Sequence, residues 1–457
     1  MKKTLLASTL LTVAGGSFAQ KPNIVYIMTD QQTAHAMSCA GNEYVNTPNM
    51  DRLANDGVRF TNAYCTAPLS GPSRFAMFTG YTPGTHTMLQ NHAPFPDEVD
   101  KNKTLGYLVS EAGYDCAYGG KWHIPEASLP IDDEENNKGF GFTYLPEHSD
   151  FGLAESTIDY LKQKKTKPFF LVASFDNPHN ICEYARHQNL PFATIEEPAD
   201  VETLPNLPAN FSPAPFEAEI VRVEQSKQTA FSLYPTAQYT MDEWRRYVNA
   251  YYRLVETVDK EIGKVLDALD EQGLYENSVI IFASDHGDGV AANNWNQKTA
   301  LFEEVVNVPF IVKGVKKTNT NVVREQLVNA GLDVFATICD YAGANVPNFV
   351  NGKSVKAIVE TNNTAENHTY IVTETEFAKS NTRGWMVRTP DFKYVLYDRG
   401  KYPEQLFKIN EDKHERRNLA VEAQYKAELN RHRAMLNEWI LANGIVTTGR
   451  EIIAREE

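Results

Sequence analysis

Past its first residues the chain lacks any apolar run of the roughly 18 residues that a membrane span requires, so no transmembrane segment is expected. Cysteine is scarce: five in 457 residues. Cys39, Cys65, Cys116, Cys182 and Cys339 are scattered, without the paired spacings of a zinc site or a dense disulfide framework. An odd number leaves at least one thiol unpaired or bonded between chains. Positive charge is also short, with 44 Lys and Arg against 59 Asp and Glu and a net charge of −15. That balance argues against nucleic acid as a partner. It also repels anions in general, so a site for an anionic substrate has to be locally basic. Internal repeats and low-complexity tracts are absent, which excludes solenoid and filamentous readings.

What is present begins with a leader. MKKTLLASTLLTVAGGSFAQ has two lysines, an apolar stretch from Leu5 to about Ala14, and small residues ending at Ala19. This reads as a secretory signal spanning residues 1–19, cleaved after Ala19 and too short to span a bilayer. No cysteine follows it for lipid attachment. A periplasmic or secreted protein is expected.

Short apolar runs, NIVYIM (23–28), YDCAY (114–118), PFFLVASF (168–175), VIIFA (279–283) and VPFIV (308–312), read as buried strands. Helical patterns lie between them. In the clearest, Asp242 to Gln272, apolar residues recur every three to four positions and Gly273 provides a stop. Alternation of this kind predicts an α/β fold: a large, mixed, mostly parallel sheet flanked by helices. Residues 183–240, rich in proline, read as a lid or specificity segment. From Thr369 onward strand-like runs precede a helix at about Ala420–Asn443. The expected organisation is a catalytic α/β domain over 20–365 and a smaller C-terminal α+β domain, carrying an antiparallel sheet, over 366–457.

Each of four strands runs into a polar cluster: Asp30-Gln31, Lys121 with His123, Pro178-His179, and Ser284-Asp285-His286. Ligands of open α/β sheets sit beyond the carboxyl ends of strands, so these clusters should converge. One further segment, AYCTAPLSGPSRFAMFTG (63–80), holds two candidate nucleophiles. Cys65 has no cation or helix start in immediate reach and reads as a small buried residue. Ser70 is followed by Pro72, Arg74, an apolar run and Gly80. This pattern places it at a helix N-terminus, where backbone N–H groups attract an anion, with Arg74 one turn along.

Ser70-Gly71-Pro72-Ser73-Arg74 resembles the signature of the type I, formylglycine-dependent sulfatases of the alkaline phosphatase superfamily. MTDQQ (28–32), GGKWH (119–123), NPHN (177–180), SDHGD (284–288), NQKTALFEE (296–304) and EQLFKINEDKHERRNLA (404–420) extend the resemblance, in the family's order, over nearly the whole mature chain. It implies a serine-type sulfatase similar to secreted bacterial carbohydrate sulfatases, acting in polysaccharide or glycosaminoglycan degradation. The family's logic makes Ser70 a precursor, oxidised to formylglycine by a serine-type formylglycine-generating enzyme. One hydroxyl of the hydrated aldehyde attacks sulfur, and the sulfo-enzyme collapses through the other. By the same resemblance Asp30, Gln31, Asp285, His286 and the modified Ser70 hold a hard divalent cation such as Ca²⁺. Arg74 holds the formylglycine, and Lys121 and Lys298 neutralise the sulfate oxygens. His123 contacts the diol and His179 protonates the leaving alcohol. Glu183 and Arg186, just beyond His179, are candidate substrate contacts. Many family members carry histidine five residues before the lysine matching Lys298; Asn293 stands there, implying a difference in substrate choice or rate. The motifs read the sulfate and leave its carrier open: a glycan O-sulfate first, with N-sulfoglucosamine, choline sulfate or a phosphate or phosphonate monoester as alternatives.

Overall fold

The computed structural model describes residues 21–124, 138–146, 149–227, 235–315, 319–361 and 363–445. The leader, residues 1–19, lies outside the described residues, as does the end of the C-terminal region. Among the described residues no helix is long and apolar enough to cross a membrane.

A nine-stranded sheet forms the frame. At its centre the strand Asn23–Asp30 pairs in parallel with Phe169–Pro178 on one side and Ser278–Ser284 on the other. Asp115–Gly120 continues the parallel set beside Phe169–Pro178. Phe310–Lys313 runs antiparallel to Ser278–Ser284, and Lys138–Gly139 antiparallel to Phe142–Tyr144, so the sheet is mixed but mostly parallel. Every residue of the central strand is buried. Its alternate side chains feed two different cores: Ile24, Tyr26 and Met28 on one face, Val25 and Ile27 on the other. This two-sided burial explains why these strands read as unbroken apolar runs.

The long helix, Met241–Glu271, covers one face with Trp244, Tyr247, Tyr251, Val255, Val258 and Ile262. Its start is fixed by a capping box in which Thr240 and Glu243 satisfy each other's backbone N–H groups. At its end Gly273 adopts a φ of +67° and its N–H donates to the Asp270 carbonyl.

A separate four-stranded antiparallel sheet follows, in the order Ile371–Phe377, Thr382–Arg388, Phe392–Tyr397, Glu404–Lys408. One face (Trp385, Val387, Tyr394, Leu396) packs with Leu429, Leu436 and Ile440 of the helix Lys426–Ala442. The other face (Met386, Val395, Tyr397) joins the core of the large sheet. The helix begins six residues later than its apolar pattern suggests, because Asn418 caps a short 3₁₀ turn at Leu419–Val421.

The described part of the proline-rich segment is tied to its surroundings through one helix. Arg222 and Gln225 of its helix Glu219–Ser226 donate to the carbonyls of Asn293 and Asn294, at 2.6 Å each. Glu224 accepts from the backbone N–H of Ser380 at 2.8 Å. It thus joins the loop that leads to Lys298 to the antiparallel sheet.

Candidate active site

The four polar clusters meet at one edge of the sheet. Asp30 ends the central strand, and Lys121, His179 and Asp285 follow the carboxyl ends of its three parallel companions. The helix Ser70–Thr79 is laid against this edge, with Ser73 Oγ donating to the Asp285 carbonyl at 2.6 Å. Gly80 closes that helix at a φ of +75°. Leu69, just before it, is extended, so Ser70 is the first helical residue. Gly71 leaves no spare room beside it: a Cβ there would lie 3.1 Å from Asn91 Oδ1 and 3.3 Å from the His123 carbonyl. Cys65 is fully buried, and burial holds its thiol well above its usual value. It is a packing residue.

Ser70 Oγ lies 3.0 Å from His286 Nε2 and 3.3 Å from Asp30 Oδ1. His286 Nδ1 is 2.9 Å from the Gly287 carbonyl, which can only accept. The proton therefore sits on Nδ1 and Nε2 keeps its lone pair. Burial first, then the charge of Lys298, pushes this imidazole down to about 3, so it is neutral. Asp30, Asp285 and His286 bring three ligand atoms within 4.8 Å of one another, all fully buried.

Arg74 ties this group together. Its Nε donates to Asp285 at 2.8 Å and its Nη2 to Asp30 at 3.1 Å. Nη1 reaches Ser174 Oγ at 2.7 Å and the Lys121 carbonyl at 2.8 Å. A buried guanidinium is tolerated when its donors are matched in this way. Lys121 adds a second cation, 2.9 Å from Asp30 and 2.7 Å from Asp176. Burial opposes the charge on Asp30, but Lys121 and its other cationic neighbours outweigh it and hold the carboxyl well below the usual range. Burial and the nearby Asp30 push Asp285 the other way. Two buried carboxylates and a neutral imidazole with a free lone pair form a donor set that fits a hard divalent cation. Asp30, Asp285 and His286 would hold it.

The other expected residues surround this centre. The side chain of Lys298 is almost wholly buried and, among the described residues, its ammonium has no hydrogen-bond partner; its charge reaches Asp30, His123, His179 and His286. His123 has a φ of 58°, and its Nδ1 is buried without a partner. Burial, reinforced by Lys121, pushes it down to about 3. His179 is more open, with a side-chain exposure of 22%, and lies 3.9 Å from Asp176. Burial and the charges of Lys121 and Lys298 hold it well below its usual value. Glu183 and Arg186 approach each other at 3.8 Å nearby, and one Glu183 oxygen is buried without a partner.

Gln31 is brought to the centre by its backbone, its N–H donating to Asp285 at 3.1 Å. Its side chain is engaged elsewhere: Nε2 donates to Asp288 at 2.8 Å and Oε1 accepts from the Cys182 thiol at 3.5 Å. Sequence reasoning passed over Asp288 and Asp176. Asp288 gathers Gln31, the Tyr247 hydroxyl and the backbone N–H groups of Val290 and Gln297. It closes SDHGD, and Asp176 directly precedes NPHN, so each bordered a visible signal.

Comparison with known proteins decides the family. Residues 22–344 match the sulfatase family, and residues 292–440 match the C-terminal region of N-sulphoglucosamine sulphohydrolase. The chain belongs to the sulfatase family. It is a sulfuric ester hydrolase of alkaline-phosphatase-like fold. This sulfatase is 31% identical over 458 residues to a Δ4,5-hexuronate-2-O-sulfatase of Bacteroides thetaiotaomicron, covering 93% of this chain and 90% of the relative. It is 27% identical to an N-acetylglucosamine-6-O-sulfatase of the same organism, over 89% and 84% of the two chains. A crystal structure of a putative sulfatase from that organism superposes with a TM-score of 0.79 at 30% identity, covering 93% of each chain.

Proposed function

We propose that this sulfatase removes O-linked sulfate from a carbohydrate, a sulfated glycan or glycosaminoglycan fragment, using residue 70 as nucleophile after oxidation of its serine. The observation that carries this reading is the setting of Ser70 Oγ, at a helix start and within 3.3 Å of both Asp30 and the lone pair of His286. The carbohydrate part is supported by relatives that act on hexuronate and N-acetylglucosamine sulfates.

Oxidation of Ser70 to formylglycine supplies a hydrated aldehyde, whose second hydroxyl offers a route for releasing the transferred sulfate that plain serine lacks. A divalent cation, Ca²⁺ in our reading, supplies positive charge to sulfate oxygens when held by Asp30, Asp285 and His286. Arg74 keeps those two carboxylates in place. Lys121 and Lys298 bring positive charge against the sulfate. His123, with its unpartnered Nδ1, faces the residue 70 hydroxyls. His179 donates a proton to the departing sugar oxygen, which leaves poorly as an anion. Burial first, then Lys121 and Lys298, keep His179 deprotonated in the free enzyme; an arriving sulfate neutralises the two cations and so raises its proton affinity. Glu183 and Arg186 contact the sugar. The leader directs the chain to the periplasm or beyond, and a serine-type formylglycine-generating enzyme matures it.

Mass spectrometry of the Ser70 peptide from the native host tests this reading, with a loss of two hydrogens expected. A fully active enzyme with unmodified Ser70 overturns it. A panel of sulfated mono- and disaccharides, with matched phosphate esters, then reads the substrate. Faster turnover of the phosphates would overturn the assignment to sulfate.

A further inference from the structure

A cavity of about 450 Å³ lies among the long helix, the proline-rich segment and the loops past Gln31 and Asp288. That size falls in the range of small-molecule sites. Its walls come from distant parts of the chain: Thr33 and His35 just past Gln31, Leu207 to Asn210 of the proline-rich segment, Tyr252 of the long helix, Val290 just past Asp288, and Glu304.

Glu304 belongs to the LFEE run, whose first glutamate is consumed elsewhere: Glu303 accepts from Tyr64 at 2.6 Å and from Lys393 at 3.0 Å. Glu304 Oε1 accepts from Asn210 Nδ2 at 2.9 Å. Its Oε2 and the Oδ1 of Asn210 are both buried without a partner, and Asn210 is only 1% exposed. Both unmatched atoms are acceptors, so an occupant has to bring donors.

Three further features narrow its chemistry. Tyr44, Tyr252, Leu207 and Pro208 give the cavity apolar and aromatic walls. Those walls suit the C–H faces of a ring more than a bare ion. Glu303 and Glu304 line one part of the cavity and Lys413, His414 and His35 another, so its charge is mixed, and the acidic part is where the two unmatched acceptors lie. An anionic group is therefore disfavoured beside Glu304 and Asn210.

We infer that this cavity is a second carbohydrate site, taking one unsulfated neutral or amino sugar ring whose donors meet Glu304 Oε2 and Asn210 Oδ1. The choice of a sugar rests on the carbohydrate reading above. The cavity touches Thr33 and Val290, two positions beyond Gln31 and Asp288, so its occupant rests on the loops that leave the catalytic edge. Burial, with the Glu415 carboxylate adding, pushes Glu304 up to about 7, which an ammonium group would reverse.

The test is binding of glucose, N-acetylglucosamine and glucosamine to the full-length Ser70→Ala protein, by calorimetry and saturation-transfer NMR, with and without inorganic sulfate. Expected is weak binding of at least one sugar that sulfate does not displace, and that Glu304→Ala or Tyr252→Ala weakens at least about tenfold while melting temperature and circular dichroism show the variants folded. Absence of binding by all three sugars overturns the inference. So does binding that sulfate displaces, or that survives both substitutions, since the sugar then sits in the catalytic centre or elsewhere. Because the assay uses protein that cannot turn over, its failure is distinct from a failure to release sulfate from glycans.

Discussion

Two regions of this sulfatase bury charge heavily, and they differ in whether the charges are matched. At the edge of the large sheet, Asp30, Asp285 and His286 crowd together, His123 Nδ1 is unpartnered, and the Lys298 ammonium has no hydrogen-bond partner among the described residues. Where the antiparallel sheet meets the large one, the buried Lys393 ammonium bridges Glu303 and Glu415 at 3.0 and 2.7 Å. There Arg388 Nε donates to the Tyr64 hydroxyl at 2.8 Å, and that hydroxyl donates to Glu303. The backbone N–H of Glu303 meets Glu415 at 2.8 Å. In the proposed function the first cluster meets a cation and a sulfate; the second is closed because its partners are all protein. At the sheet edge His123 Nδ1 is left without a protein partner, whereas the charges around Lys393 are met by protein groups.

Mutations should separate the two. The largest effect is expected for Ser70→Ala: sulfate release falls at least about 10⁴-fold, while the denaturation midpoint barely moves. Measuring turnover and urea unfolding on the same preparation checks both halves. Next, His179→Ala should lower kcat by about 10²- to 10⁴-fold on an alkyl or sugar sulfate. The loss should be much smaller on an aryl sulfate, whose leaving group needs no proton; equal losses on both would remove His179 from the role of acid. Lys393→Met should do the reverse of Ser70→Ala. It strands the buried Glu415 and removes one partner from the half-buried Glu303, and should cost about 3 kcal/mol of stability, with kcat of the folded protein little changed.

The smallest expected effect concerns Glu374, a buried residue of the antiparallel sheet that accepts from the Gly84 N–H at 2.5 Å and lies 3.7 Å from Arg383. Burial pushes its carboxyl up to about 7 from an ordinary 4.5. The folded state therefore binds this proton more tightly than the unfolded one. The resulting stability is complete below the unfolded value and is lost as pH rises through about 7, at most about 3 kcal/mol. Glu374→Gln should remove that share of the slope between about pH 5 and about pH 8, read by denaturant unfolding at both values. An unchanged slope would show that the proton is held elsewhere.

The residues that announced themselves in the sequence did so through local context. Ser70 was legible because Pro72, Arg74 and Gly80 stand at helical spacing from it, and Asp30, Lys121, His179 and Asp285 because each follows an apolar run. Asp176 directly follows such a run and Asp288 closes SDHGD, but nothing nearby in the sequence shows what either one holds. Their importance is that one touches Lys121 across 55 positions and the other Gln31 across 257. The start of the C-terminal helix was misplaced for a related reason: Leu419 and Ala420 continue its apolar pattern, but Asn418 diverts the chain into a tighter turn first.

The sequence by itself determined the succession of strands, the residue types at each strand end and the place of Ser70 at a helix start, because these depend on neighbours a few residues apart. Only the tertiary structure decided which charges find partners. Of two adjacent glutamates that line one cavity, Glu303 has both oxygens partnered, by Tyr64 and Lys393, and Glu304 keeps one unmatched, a difference set by side chains some 90 or more residues away. Desolvation and ion pairing are properties of where a group is buried and what shares that volume, and neither is written in the residues on either side of it.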